Sequence, residues 1–484
     1  MTIPNRKFAL LDEFGKRPVQ LGYNAVKHNP SRARPKNSIR SEDEELNRRE
    51  RQLLIATTRD QLRNVALVSW MFRKHLDYVS QFNYHASTGD QQLDADLELL
   101  WKEYSLKDNC DIAGRHPLSR MIRIFEACKV TDGDAGLIKI NNGMLQGVEG
   151  SRIAKPYGAY SKNVSDISNI NDQGLVLNKE GRVLKYSIVD IKNGQKRFSR
   201  LISAKNMLFD GYFVRFNQTR GVSPLASALN LFQDLYESWE YQLIKSKMHA
   251  MFGVAIYSDP AKTIDSGFDS VAQATGQTGT SQTVANRSYE FELKPGLKLE
   301  LDQGDRIETI ESKTPSAEFK DYTELMVRIG MLSLDIPYSF YDSRQSSFSA
   351  MKQDRVEYET SAKVKQASNH DVLIQIGKWK HNDWFNKGLI KVDPKKIKFE
   401  FRAAGRPWLE ELKEINAAML RIDSGLSSRQ RECKKRGEDF FEIMEELKKE
   451  KEIIKKSGVN IVSGMPGQPT IEERDANVEA TEGQ

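Results

Sequence analysis

Residues 350–386 carry one continuous helical pattern, which at about 1.5 Å per residue would run roughly 55 Å unbroken. A rod that long in a domain of this size should cross a whole layer of an assembly. Two shorter rods stand upstream of it. The first, 221–251, has Ser223 as a capping residue and Pro224 at the first helical position, with Leu225, Leu229, Phe232, Leu235, Trp239, Leu243 and Met248 along one face. It predicts roughly 40 Å of helix. The second starts at Thr314-Pro315, again a capping residue followed by proline, and carries Phe319, Tyr322, Leu325, Met326, Ile329 and Leu332 until Pro337 stops it. Between the two, the polar low-complexity stretch 266–288 reads as an exposed loop or tip. Tyr289, Phe291 and Leu293, then Leu297, Leu299 and Leu301, alternate with polar residues on either side of Pro295-Gly296, which predicts a hairpin. The linear order is helix, small flexible β insert, helix.

The remainder is α+β and mainly helical. Residues 1–41 contain Pro4, Pro18, Pro30 and Pro35 among polar residues and read as an extended arm that takes any order from a neighbour. From Glu42, the spacing of Leu46, Leu53, Leu54, Leu62, Val65, Leu67, Val68 and Trp70 predicts two or three helices continuing to about Cys128. Between 137 and 216, short apolar runs broken at Asn141-Asn142-Gly143, Glu180-Gly181 and Asn193-Gly194 predict an antiparallel β region. A strand at 397–401 precedes three further helical segments ending near Lys456, and the polar, net acidic tail 459–484 is predicted to be disordered.

Charge does not single out a ligand. The net +6 arises from 73 basic and 67 acidic side chains mixed along the chain, unlike the concentrated basic surface of a tight duplex binder. Arg32, Arg34, Lys36, Arg40, Arg48, Arg49 and Arg51 do cluster around the acidic run Glu42–Glu45, and read first as a solvated arm or helix face. Cys110, Cys128 and Cys433 suggest neither a disulfide framework nor a zinc site, and no segment is apolar enough to span a membrane or to lead secretion. These features predict a soluble product in a reducing cytoplasm.

No catalytic or cofactor signature emerges. There is no phosphate-cradling glycine loop of the G-x-x-x-x-G-K-[ST] kind and no G-x-S-x-G; at Gly221-Val-Ser223-Pro224 the proline removes an N–H that an oxyanion hole needs. The seven histidines lack metal-binding pairings, and His381 with Asp383 would face different directions on a helix. Asp132 and Asp134 around Gly133 read as a structural turn rather than an acid/base pair or cation site. Trp101, Trp239, Trp379, Trp384 and Trp408 read as core or subunit contacts. The expectation is no catalytic residue, no metal and no cofactor.

Several strings nonetheless resemble the lambda-type family of phage portal proteins. They are Arg51-Gln-Leu with Thr58-Arg59-Asp60-Gln-Leu-Arg63-Asn64; Trp101, Cys110-Asp111 and Gly114-Arg115; Asp132-Gly133-Asp134; and Arg220-Gly221-Val222-Ser223-Pro224-Leu225. Further along come Leu293-Lys-Pro295-Gly296, Leu301-Asp-Gln-Gly304-Asp305, Asp335-Ile336-Pro337-Tyr338 and Ser346-Ser347-Phe348-Ser349-Ala350-Met351, the last departing from a family string closer to Asn-Tyr-Ser-Ser-Ala-Arg. Together they cover about residues 45–445. The resemblance implies a head-tail connector of the virion, a ring of roughly twelve identical subunits at one capsid vertex. It also implies this division: wing 42–221, stem helix 222–250, clip 251–313, stem helix 314–337, tunnel loop 338–350, wing 351–404 and crown 405–458.

In such a ring Ser223, Pro224, Trp239, Thr314, Pro315 and Tyr322 belong to the stem. The implied partners are double-stranded DNA passing non-specifically, the terminase large subunit, major capsid and scaffolding proteins, and head-completion or adaptor proteins; no membrane is implied. The ring would serve DNA packaging and ejection from the capsid, after assembly in the host cytoplasm. A channel for DNA of any sequence should avoid base-edge contacts and tight phosphate binding, because each neutralised phosphate adds drag. Ser343, Arg344, Gln345, Ser346 and Ser347 suit its lumen, with Arg344 and Lys352 touching phosphates transiently; otherwise this loop packs only against the neighbouring subunit. The rival readings are a non-ring capsid adaptor or scaffold and a nucleic-acid enzyme without a recognisable motif. Mass separates them, since a ring would appear near twelve times 55.3 kDa.

Overall fold

The structure is a computed structural model that describes residues 39, 41–156, 169–192, 195–251, 254–258, 305–309, 317–344, 346–405 and 410–457. The long rod is present: α9 spans Phe348–Asn386, 39 residues, with the Ser347 side chain accepting from Ala350 N as its cap. One stripe of it is buried along its length, from Tyr358 and Ala362 through Asn369, Val372, Leu373 and Ile376 to Lys380 and Trp384. This spacing of three and four keeps a single face inward for seven turns. Gly377 lies on that stripe, and a Cβ there would sit 2.5 Å from the Phe399 ring.

The first helices among the described residues are α1 (Glu42–Glu45), α2 (Arg48–Asn64), α3 (Ala66–Val79), α4 (Gln91–Tyr104), α5 (Lys107–Cys110) and α6 (Leu118–Asp132); α3 packs directly on α9, and α4 and α6 share a core with it. Asn47 and Asp90 cap α2 and α4 by accepting from two backbone N–H groups each. The predicted helical run is interrupted by β1 (Phe82–Ala86), which pairs antiparallel with β10 (Phe399–Ala403). The predicted strand 397–401 is thereby shifted two residues, because Pro394–Lys396 form a 3-10 turn and Ile397 follows it as the turn's C-cap.

The antiparallel region appears as predicted. Strands β2 (Asp134–Lys139), β3 (Leu145–Glu149) and β7 (Met207–Gly211) form one sheet in the order β3-β2-β7; β4 (Leu175–Leu177), β5 (Val183–Lys192) and β6 (Gln195–Ser203) form another in the order β4-β5-β6. The Gly143 and Gly181 turns take the positive φ of 92° and 81° that favours glycine.

The first shorter rod needs correction. Ser223 caps a 3-10 turn, Pro224–Ser227, and the α-helix α7 begins only at Leu229 and runs to Met251. Ala228 interrupts the two at φ −109°, where the Ser223 hydroxyl is held to Val130 O at 2.6 Å. The rod is thus 23 residues long, about 35 Å. The second, α8, spans Ala317–Met331; its expected cap Thr314-Pro315 lies outside the described residues, as do the hairpin around Pro295-Gly296, the arm to residue 38, Trp408, Gln345 and the tail from 458. At the root of the insert β8 (Val254–Ser258) pairs antiparallel with β9 (Asp305–Thr309). Three helices follow β10 as predicted: α10 (Glu411–Asp423), α11 (Arg429–Lys435) and α12 (Phe440–Ser457).

Burial is divided among three cores. One joins Leu97, Trp101 and Tyr104 of α4 and Phe125 of α6 to Ile376 and Trp384 of α9 and Phe401 of β10. A second joins Val68 and Met71 of α3 to Leu229, Phe232 and Leu235 of α7, Val327 and Met331 of α8, and Tyr358 of α9. A third, smaller one lies between the two sheets around Ile138, Val148, Leu175 and Ile188. Trp379 and Trp239 pack at the edges of the first and second, so the tryptophans within the described residues are core contacts in this fold.

Between the first two cores runs a buried ionic chain. Lys129 Nζ lies 2.9 Å from Glu126 and donates to Asp210 at 2.7 Å and to Ser368 and Asn369 of α9 at 3.0 Å. Asn369 and Tyr212 donate to Glu126 at 2.9 and 2.5 Å, and His75 Nε2 stands 2.9 Å from it. Burial opposes ionisation of Glu126, but Lys129, with His75 and Tyr212, holds its carboxyl well below the usual carboxylate range.

Buried ions need their partners more than they need each other's attraction. Glu126→Gln should therefore destabilise the chain by about 3–5 kcal/mol, and Glu126→Gln with Lys129→Met should recover part of that loss, as read from chemical denaturation midpoints.

Candidate functional site

The root of the two rods is built from residues spread over 170 positions. The Asp132-Gly133-Asp134 turn leaves the end of α6 with Gly133 at φ 92° and starts β2. Asp134, fully buried, accepts from Arg220 Nε at 2.7 Å and Nη2 at 2.8 Å, from Arg51 Nη2 at 2.9 Å and from Gly221 N at 2.9 Å. Arg220 spends its other donors on backbone carbonyls, those of Ile153 at 2.6 Å, Gln173 at 2.7 Å and Gly150 at 2.8 Å. Arg51 also donates to Gly221 O at 2.8 Å. Asp132 takes a bidentate pair from Arg59, 3.0 and 2.6 Å, and the N–H of Ser151 at 2.9 Å.

Gly133 and Gly221 sit backbone to backbone, so that a Cβ on either would run into the other's carbonyl oxygen. Burial raises the Asp134 carboxyl, and Arg220 and Arg51 more than reverse it, leaving it below its ordinary value. The two acids thus serve as a structural turn whose carboxylates clamp three arginines. Both carboxylates take their hydrogen-bond partners from within the chain, while the Nε of Arg51 is left buried without an acceptor among the described residues. Among the described residues no group of three His, Cys, Asp or Glu side chains is placed to hold a metal ion.

From this root the rods leave the body. Leu225, Leu229, Phe232 and Leu235 are buried and Trp239 half-buried, whereas Tyr241 and Leu243 are 67% and 55% exposed. On α8 the buried residues are Met326, Val327, Gly330 and Met331, with the Phe232 ring 2.5 Å from where a Cβ of Gly330 would be. The face picked from sequence divides: Met326 is inside, while Tyr322, Leu325, Ile329 and Leu332 are about half or more exposed. They recur at spacings of three, four and three, a stripe on the opposite side of the helix from the core.

Downstream, Asp335 takes the left-handed conformation at φ 60° and ends the rod. The loop then passes through Tyr338, whose ring lies 4.6 Å from the Arg328 guanidinium, and Tyr341, whose ring meets Trp70 of α3. Ser343 and Arg344 are exposed, Ser346 is half-buried, and Ser347 caps α9. Arg344 is folded back onto Asp342, Nη2 to Oδ2 at 2.6 Å, and this hydrogen-bonded partner pulls the exposed Asp342 carboxyl down to about 2. Lys352, one turn into α9, lies 3.5 Å from Glu410. The two cations picked for phosphate contact each have a carboxylate beside them, which the sequence reading missed. Neither pairing is legible from helix periodicity: one is local to a loop and the other spans 58 positions.

Three comparisons with known proteins bear on this arrangement. A family model described as phage portal protein, lambda family, matches residues 28–366. The portal protein of Escherichia phage N15 is 22% identical over 414 residues, covering 75% of each chain. Portal protein B of Escherichia phage lambda is 22% identical over 387 residues, covering 72% of this chain and 71% of its own. Among solved structures, a chain in the neck of a native gene transfer agent particle computed with C12 symmetry aligns at a TM-score of 0.47 and 12% identity, over 80% of this chain and 98% of that one. Another, in the virion of a native gene transfer agent particle, aligns at 0.45 and 12%.

The clamp predicts a definite acid limb. Because the Asp134 carboxyl is depressed in the folded chain, its stabilisation is complete above the unfolded value of about 4 and is lost as pH falls through the folded one. Asp134→Asn should lower stability at pH 7 by about 3–5 kcal/mol and flatten the loss below pH 4, seen in denaturation midpoints across pH.

Proposed function

The chain belongs to the lambda family of phage portal proteins, and from that premise we propose that roughly twelve copies close into a ring at one capsid vertex, through which DNA is packaged and ejected. On this reading α7 and α8 are the stem, residues 251–313 the clip that meets the terminase large subunit, and α10–α12 most of the crown. The body from 42 to 221, together with α9 and β10, is the wing that sits among major capsid and scaffolding proteins. Head-completion or adaptor proteins engage the finished ring. The chain itself catalyses nothing.

The observation that carries the ring is the run of unpartnered apolar surface along α8, the outer half of α7 and the C-terminal helices. Tyr322, Leu325 and Ile329 of α8, Leu332 just past its end, and Tyr241 and Leu243 of α7 face away from the chain's own core. The three C-terminal helices bury no residue at all, yet carry Leu412, Met419, Leu420, Phe441, Met444 and Ile453 largely exposed. Monomeric proteins seldom leave such stripes uncovered. A second copy offers a surface of the same chemistry, and a head-to-tail contact that closes on itself makes a ring.

Lumen contacts suit weak handling of DNA. With Asp342 holding Arg344 and Glu410 near Lys352, a passing phosphate competes against a resident carboxylate, so each contact is brief and little drag accumulates.

Two outcomes test this. Native mass measurement of the full chain should give an assembly near twelve times 55.3 kDa, and Leu325→Glu with Ile329→Glu should reduce it to small species that keep wild-type helix content; a wild-type chain that stays single-copy at high concentration ends the proposal. Arg344→Ala with Lys352→Ala should assemble normally but retain less packaged DNA, measured as nuclease-resistant genome per particle, and unchanged packaging and retention would remove these two residues from the lumen.

A further inference from the structure

Lys196, on β6, points inward and is 8% exposed, yet among the described residues no carboxylate pairs with it. The charged and polar groups that bound the cavity it lines are Arg48, Arg51 and Gln52 of α2, Ser151, Gln173 and Arg220, with Asp172 at its rim. Nearby acids are already committed. Asp134 is clamped by Arg51 and Arg220, Asp132 by Arg59, and Asp172 pairs with Lys155 at the surface. The Nε of Arg51 is buried without an acceptor, and the Gln173 amide oxygen lacks a donor. That neutral oxygen can take one hydrogen bond from the ammonium without offsetting its charge.

A lysine this enclosed beside three arginines, with no carboxylate paired to it among the described residues, gains by giving up its proton or by taking a counter-ion. Desolvation, with Arg48, Arg220 and Arg51 adding to it, pushes the Lys196 ammonium down to about 8, which still leaves it mostly charged at neutral pH. The cavity measures about 20 Å³, room for one atom-sized guest and too little for phosphate or sulfate. Cationic donors on three sides, one of them buried and unsatisfied, favour a negative guest over water.

We propose that this cavity is a binding site for a small monoatomic anion of chloride size, held by Lys196 together with the Nε of Arg51 and completed by Arg48. The ion joins β6 to α2, and so fastens the small β4-β5-β6 sheet onto the helical body. It concerns the fold of one chain and does not depend on ring formation.

The test is thermal melting of the full chain at matched ionic strength in sodium chloride and in sodium gluconate, whose anion is too large to enter. The wild type should melt about 1–2 °C higher in chloride. Lys205→Met, an exposed lysine beside the same sheet, should keep that difference, and Lys196→Met should abolish it. Equal melting of the wild type in the two salts, or the same chloride response in Lys196→Met, overturns the proposal. Crystals grown in bromide supply a measurement independent of any variant: an anomalous peak between Lys196 Nζ and Arg51 Nε supports the site, and density for water alone there refutes it.

Discussion

One carboxylate, that of Asp134, is where the parts of this chain meet. Its four hydrogen bonds come from Arg51 of α2, from Arg220 a few residues ahead of the 3-10 turn that leads into α7, and from the backbone N–H of Gly221 beside it. Arg220 then carries the connection onward to the carbonyls of Gly150, Ile153 and Gln173, which stand at the edges of both β sheets. A planar guanidinium with its donors in a fixed fork sets direction as well as attraction, so the clamp fixes the angle at which the chain leading into α7 leaves the body. Lysine in place of Arg220 would keep charge and lose that angle. The close passage of Gly133 and Gly221 is the steric half of the same device, since the clamp closes only if both backbones lie in contact.

A second buried ionic chain lies one turn earlier on the same helix. Glu126 and Lys129 of α6 engage Asn369 and Ser368 in the middle of α9, whereas Asp132 at the end of α6 engages Arg59 of α2. Helix α6 thus sets the position of the long rod and the position of α2 beside the root of α7 from one rigid segment less than two turns long. Apolar packing alone would allow α9 to slide by a turn along its continuous buried stripe. The paired ions permit one register, because any other strands a charge in a dry interior.

Much of this organisation was legible in the sequence, for local reasons. Ser223 caps as expected, although what it caps is a 3-10 turn ahead of the α-helix, Gly143 and Gly181 turn where glycine is needed, and three helices follow β10 and end close to Lys456. What escaped was non-local. The strand β1 is five residues long and acquires its partner, β10, more than 300 positions away, so its brief alternation of Phe82, Tyr84 and Ala86 was absorbed into a helical run. The acids of the Asp132-Gly133-Asp134 turn looked like turn residues because their arginines lie 73, 83 and 86 positions distant. Periodicity identified an apolar face on α8 but not which part meets the chain's own core, because a stripe waiting for a neighbour and a stripe waiting for its own body carry the same residues.

That last ambiguity is itself informative about assembly. Among the described residues the three buried cores draw on the body from 42 to 221 with α9 and β10, on the root of α7 and on the buried side of α8, all within one chain. Beyond Trp239 on α7, and throughout α10 to α12, the apolar residues have no such core to enter. Folding of the body and ordering of the distal helices therefore draw on different sources of burial. The body has its own, while the stem and crown on the ring reading obtain theirs only when copies meet. On that reading ring closure fixes the distal helices as it forms, with the Asp134 clamp setting the direction in which each α7 is presented to the next copy.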